Sequence, residues 1–207
     1  MTRSEQLDIL REVAAAFNCL SSIEENKIEV ERHACSTIAN LIEIPDVHSR
    51  FIEERGLPPV VALALSSTDE KCKGDTARVI ANLSTNSSIH LELIREGIIE
   101  PMLRGLDCSD FNCKRFAALS IANVATSPAA HGKLLQSRAA ESLVKVINED
   151  NTHVEVKHYA ALAIDNLSGS IDNHEELLKE ERLLDAIFFL VNFTDSQSKL
   201  YTKFNQQ

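Results

Sequence analysis

The segment TARVIANLSTNSSIHLELIREG, residues 76–97, contains in order an apolar helix ending on Asn82, a polar turn, a histidine, the apolar doublet Leu93-Ile94 and a glycine corner. Its parts recur along the chain. TIANL ends at Leu41, VIANL at Leu83, SIANV at Val124 and AIDNL at Leu167. Their asparagines, Asn40, Asn82, Asn123 and Asn166, stand 42, 41 and 43 residues apart, a period typical of stacked helical repeats. A histidine follows each asparagine at a constant 8 residues: His48, His90, His131 and His174. Beyond each histidine comes an apolar doublet, Phe51-Ile52, Leu93-Ile94, Leu134-Leu135 or Leu177-Leu178, which gives a short helix its buried side.

After that short helix the pattern predicts a corner and a second, apolar helix: LPPVVALAL, IIEPMLRGL, AAESLVKVI and LLDAIFFLV. A third, longer helix then leads to the next asparagine. Ser22 with Glu25, Ser67 with Glu70 and Thr152 with Glu155 are spaced as capping boxes near the starts of third helices, whereas Ser109-Asp110 lacks the glutamate. Gly56 and Gly97 suit a left-handed corner, and because Arg138 and Arg182 take that place later, those corners are expected to bend differently. The register divides the single 1–207 domain into units at 46–85, 87–126 and 128–170, flanked by partial repeats at 1–45 and 172–207. The first partial unit opens in a second helix around Leu7 to Leu20, and the last closes in a third helix, SQSKLYTKFNQQ. Because a solenoid needs polar caps, the array is expected to continue beyond this chain or to have its ends covered by another chain.

This triplet resembles the armadillo repeat, on Glu54-Arg55-Gly56, Glu96-Gly97, Ala117-Ala118-Leu119 and Ala160-Ala161-Leu162. The resemblance implies an all-α, right-handed superhelix of three-helix repeats. It is closer to the beta-catenin and fungal vacuolar armadillo scaffolds than to importin alpha. In importin alpha a tryptophan precedes the asparagine by four residues, and here Ser36, Arg78, Leu119 and Leu162 hold that position.

In the family, third helices line a concave groove where the repeated asparagine holds the backbone of an extended peptide. The resemblance therefore implies Asn40, Asn82, Asn123 and Asn166 as contact residues, each amide offering both a donor and an acceptor. The competing expectation is that each asparagine ties down its own helix end. Stepping back four and seven residues gives Ser36 and His33, Arg78 and Asp75, Leu119 and Phe116, Leu162 and Tyr159. The groove is thus expected to be polar at its start and apolar around Phe116, Leu119, Tyr159 and Leu162, unless those four face the core. Arg32, Lys73, Lys114, Arg115 and Lys157 form a basic shoulder, favouring an acidic or phosphorylated protein segment, with solvated helix charge as the alternative.

Composition agrees with packed helices: hydrophobic residues make up 44% and aromatics 5%, with no Trp. A formal net charge of −10 disfavours nucleic acid. No apolar run approaches the roughly 20 residues a membrane span needs, so the chain is expected to be soluble and cytoplasmic, without membrane insertion. The cysteines Cys19, Cys35, Cys72, Cys108 and Cys113 form no CxxC pair and are expected to be buried, reduced thiols. Equivalent histidines in neighbouring repeats would lie about 10 Å apart, too far to share an ion, so each is read as capping the preceding third helix. No P-loop, HExxH, GxGxxG or nucleophile elbow occurs, and no cofactor or enzymatic activity is expected. Two readings remain: a scaffold that holds a protein segment in its groove, and a lattice component that self-associates through convex surfaces and repeat ends.

Overall fold

The computed structural model describes residues 27–188, together with Glu12 and Val191. The expected helix at Leu7 to Leu20, the Ser22/Glu25 cap, Cys19 and the closing helix SQSKLYTKFNQQ lie outside the described residues. The described residues form helices and no strands: α1 Lys27–Leu41, α2 His48–Glu53, α3 Leu57–Ser66, α4 Glu70–Ser84, α5 His90–Arg95, α6 Ile99–Leu106, α7 Phe111–Ala125, α8 Pro128–Gln136, α9 Ala139–Asn148, α10 Val154–Ser168 and α11 His174–Leu177, followed by a helical stretch at 183–188. Each third helix (α1, α4, α7, α10) is followed by a short first helix (α2, α5, α8, α11), then by a second (α3, α6, α9 and 183–188). No helix among the described residues is long and apolar enough to cross a membrane.

Third helices stack side by side, and second helices pack behind them. One continuous core results, because a triplet has no partner for its apolar face except the next triplet. Ile42, Leu57, Ile80, Leu93, Ile121 and Leu167 are among its buried members.

The starts of the third helices are set by Asp69, Asp110 and His153. Asp69 Oδ1 accepts from the Cys72 amide at 2.8 Å and Asp110 Oδ1 from the Cys113 amide at 2.7 Å, while His153 Nδ1 accepts from the Glu155 amide at 3.2 Å. The expected caps, Ser67 and Thr152, are therefore not the N-caps. Ser67 Oγ instead accepts from the Asp69 amide at 3.2 Å, bracing the true cap, and Thr152 donates to Glu149 at 2.9 Å. An aspartate in the cap position is favoured because its charge faces the positive end of the helix.

The corners also depart from expectation. Arg55, Gly97, Arg138 and Arg182 all adopt left-handed backbone, at φ 58, 85, 61 and 63°, so the later corners bend as the earlier ones do. Gly56, at φ −72°, lies one residue past the left-handed site. A Cβ there would fall 2.3 Å from the Phe51 ring, so this glycine serves close packing. Arginine is tolerated at a left-handed site, against about 1 kcal/mol of strain, because the turn closes two backbone hydrogen bonds. Arg55 N–H donates to Ile52 and Gly56 N–H to Phe51, and Gly97 and Ile98 repeat the pattern onto Ile94 and Leu93.

The histidine column caps as its spacing implies. Nε2 of His48, His90, His131 and His174 donates to the carbonyls of Ile42, Ser84, Ala125 and Ser168, at 2.7 Å for the first and 2.8 Å for the others. Each acceptor lies at or just past the end of a third helix, where carbonyls lack helical partners. Around His131 the network is fuller: Asn173 Nδ2 donates both to His131 Nδ1 and to the Leu167 carbonyl. Nδ1 of His131 thus faces a donor while Nε2 faces the Ala125 carbonyl.

Candidate functional site

The recurrent asparagines sit near the C-terminal ends of the third helices, and their amides reach backward across the repeat junction. Asn82 Nδ2 donates to the Ala39 carbonyl at 3.4 Å, Asn123 Nδ2 to Ser84 Oγ at 3.0 Å and Asn166 Nδ2 to the Ala122 carbonyl at 2.9 Å. The asparagine thus ties its helix to the preceding third helix, whereas the local expectation had it binding its own helix end. Among the described residues no donor meets Oδ1 of Asn82, Asn123 or Asn166, and all three side chains are half-buried. Asn40, which is exposed, instead accepts from Arg78 through Oδ1 at 3.0 Å.

Arg78 knots the first part of this face. Its guanidinium also donates to Glu43 at 2.9 Å and to Asp75 at 3.2 Å, bridging α4 to the end of α1. Phe116, Leu119, Tyr159 and Leu162 are all half-buried. Tyr159 and Leu162 lean on the core, so the expectation of four residues on one open patch meets an intermediate arrangement. Phe116, with Gly74, Asp75, Arg78 and Asn112, lines a cavity of about 560 Å³ between α4 and α7. The Arg115 guanidinium lies 4.3 Å from the Phe116 ring centroid, a cation–π contact that holds the ring in place.

Most of the expected basic shoulder is occupied by carboxylates. Arg32 pairs with Asp69, Lys73 with Glu70 at 2.9 Å, Lys114 with Glu149 at 3.5 Å and Arg115 with Glu155 at 3.2 Å. All but the Lys73 pair cross from one repeat to the next. The bond from Arg32 holds the Asp69 carboxyl below its ordinary range, against the opposing effect of desolvation. Hydrogen bonding to Glu70 likewise raises Lys73, and Lys73 is the first cause of the lowered Glu70. Lys157, half-buried, has no carboxylate partner among the described residues.

A second cavity, of about 570 Å³, opens between the second and third helices of two successive repeats. Ile80, Met102, Gly105, Cys108, Cys113 and Ala117 are among its lining residues. Sequence reasoning missed it, although the register holds a signal: Gly105 occupies the position of Leu63 one repeat earlier and Val146 one repeat later.

Triplet stacking, left-handed corners and a repeated asparagine on adjoining third helices define an armadillo-type α-solenoid. The solved structures it is similar to are of that kind. A designed armadillo repeat protein superimposes with a TM-score of 0.71 at 21% identity, over 92% of this chain and 94% of that one. A second designed armadillo repeat protein, in complex with the peptide (KR)4, gives 0.67 at 22% identity, over 87% and 80%. The armadillo-repeats-only protein ARO from Plasmodium falciparum gives 0.68 at 14% identity, over 88% of each chain. No protein-family profile matches the sequence. No curated protein matches it either.

Proposed function

We propose that this chain is a scaffold whose third-helix face holds an extended segment of a protein partner, with Asn82, Asn123 and Asn166 accepting backbone N–H groups of that segment. The observation that carries this reading is that each amide is anchored through its nitrogen while its oxygen meets no donor among the described residues. A pre-oriented acceptor recurring once per repeat suits a chain with a regular backbone. Phe116, Leu119, Tyr159 and Leu162 supply the hydrophobic anchor site beside it. Asn40 and Arg78 extend the face toward the N-terminus but are already bonded to each other, so they add less. The bound peptide of the designed neighbour supports peptide capture as a use of this fold.

An acidic or phosphorylated flank on the partner belongs to this proposal as its secondary feature. It rests on Lys157 and on exchange of the Lys114 and Arg115 pairs, since Arg32 and Lys73 are committed elsewhere. Self-association through repeat ends is the competing use, favoured by Leu184 and Phe188, 67% and 63% exposed near the end of the described residues. The protein is read as cytoplasmic and without catalytic activity.

The test is capture of partners from cell extract by the intact chain and by an Asn82→Ala/Asn123→Ala double variant shown to be folded by circular dichroism. Two lost hydrogen bonds of about 1 kcal/mol each should weaken a captured partner by 10-fold or more. Undiminished capture by the folded double variant would refute the groove reading. Concentration-dependent oligomers unaffected by that variant would favour assembly through the ends.

A further inference from the structure

The third-helix register places the residue five before one asparagine against the residue ten before the next. At successive junctions those pairs are Cys35 with Cys72, Ala77 with Cys113, and Ala118 with Val156. Only the first places sulfur on both sides. Cys35 Sγ and Cys72 Sγ are 3.5 Å apart, on α1 and α4, and both residues are buried, at 1% and 0% exposure. Closing that gap to a disulfide bond needs a contraction of about 1.5 Å, within reach of side-chain torsions.

We propose that Cys35 and Cys72 form an oxidisable dithiol site, with a hydroperoxide as its co-reactant, that staples the first two described third helices together. The two thiols are chemically unequal. Cys72 lies in the first turn of α4, where partial positive charge favours a thiolate. The contact with Cys35 lowers its pKa, against desolvation and the Glu31 and Asp69 carboxylates, while the Cys35 thiol is raised by the same contact and by burial. Cys72, in that first turn, is assigned the part of nucleophile. Its thiolate attacks one peroxide oxygen, the O–O bond breaks and the second oxygen leaves as water after protonation, giving a sulfenic acid on Cys72. Cys35 then gives up its proton and its sulfur attacks Cys72 Sγ, releasing the sulfenic oxygen as a second water. The dithiol loses two electrons and two protons, and one hydrogen peroxide becomes two waters.

The staple crosses the junction that the Arg32–Asp69 ion pair and the Arg78 knot also cross. It would close a loop of 37 residues. Hydrogen peroxide is about the size of water, so entry requires only local parting of α1 from α4. Half-exposed Cys108, whose thiol donates to Glu70 at 3.2 Å, serves as an internal clock for peroxide dose.

The experiment treats the intact native protein with graded hydrogen peroxide, alkylates remaining thiols under denaturing conditions and maps peptides without reduction. The expected product is a cross-linked pair containing Cys35 and Cys72, lighter by two hydrogens and reversed by dithiothreitol. The oxidised protein should melt on the order of 5 °C higher, a rise removed by dithiothreitol and absent from Cys35→Ser. Should Cys35→Ser fail to fold, the wild-type peptide map decides alone. Recovery of both residues as alkylated thiols at a dose that has fully oxidised Cys108 would overturn the proposal. Linkage of either one to a different cysteine would do the same.

Discussion

The junction between the repeat carrying α4 and the one carrying α7 is open in the sense that no ion pair crosses it among the described residues, and the next junction, between α7 and α10, is laced by three. In the laced junction Lys145 pairs with Asp107 at 2.8 Å, Lys114 with Glu149 at 3.5 Å and Arg115 with Glu155 at 3.2 Å. In the open one the counterpart of Lys145 is Arg104, which across the junction meets the Leu65 carbonyl at 3.4 Å and no carboxylate among the described residues, because Leu65 stands where Asp107 stands later. Lys73, the counterpart of Lys114, turns back to Glu70 on its own helix. Behind this looser rim lies the cavity of about 570 Å³. Equal backbones therefore carry unequal junctions, and a few residues at matched register positions account for the difference.

Gly105 provides the sharpest test. The natural guess is that Gly105→Val, which copies Val146, would fill the cavity and stabilise the open junction. The geometry says the opposite, since a Cβ on Gly105 would lie 2.6 Å from Ala117 Cβ. Gly105→Val should cost roughly 1–3 kcal/mol by overpacking, read from urea unfolding. A compensating Ala117→Gly should recover part of the loss, and stabilisation by the single variant would show that α6 and α7 are free to part.

The laced junction should be the more sensitive of the two to salt and charge removal, by a smaller amount. Lys145→Ala should cost about 0.5 kcal/mol at low ionic strength and much less at high salt, because both partners are largely exposed. Arg104→Ala should change stability less and show a shallower salt dependence, because its carboxylate partner, Glu100, lies on its own helix and not across the junction. Equal salt slopes for the two variants would break the comparison.

The α1–α4 junction, held by Arg32 and Asp69, extends the comparison to pH. The folded-state pKa of Asp69 is depressed, so its contribution is present above the unfolded value of about 3.9 and is lost as pH falls through the folded value. Asp69→Asn keeps a capping side chain but removes that linkage. Its melting temperature should fall less than the wild type's between neutral and acid pH. An unchanged acid limb would mean that other carboxylates govern it.

How much of this could be read beforehand depends on whether a feature repeats. The asparagines and histidines recur in every unit, so their period exposed the solenoid, and the constant interval between them exposed the capping bond from His90 to Ser84. The left-handed corners were misread because Gly56 drew attention from its neighbour Arg55, and the backbone turn does not select glycine strongly once its hydrogen bonds are made. The carboxylate pairing of the shoulder was not legible because the partners of Lys114 and Arg115 lie 35 and 40 residues away, on another helix, where no local window finds them. The anchoring of Asn82 onto Ala39 is hidden for the same reason.

The smallest effect concerns Leu65. If the missing carboxylate is what leaves the open junction unlaced, Leu65→Asp should give Arg104 the partner that Lys145 already has. Leu65 is partly exposed, so the substitution forfeits little apolar burial, and Arg104 already points at the Leu65 main chain. Arg104 also holds Glu100 at 2.8 Å on its own helix, so the new pair competes with an existing one and the net gain should not exceed about 0.5 kcal/mol. A double-mutant cycle of Leu65→Asp with Arg104→Ala isolates that coupling from the changes each substitution brings alone. A coupling that shrinks with added salt would show that charge at this rim position distinguishes the two junctions. A coupling of zero would assign the difference to Gly105 and the void behind it.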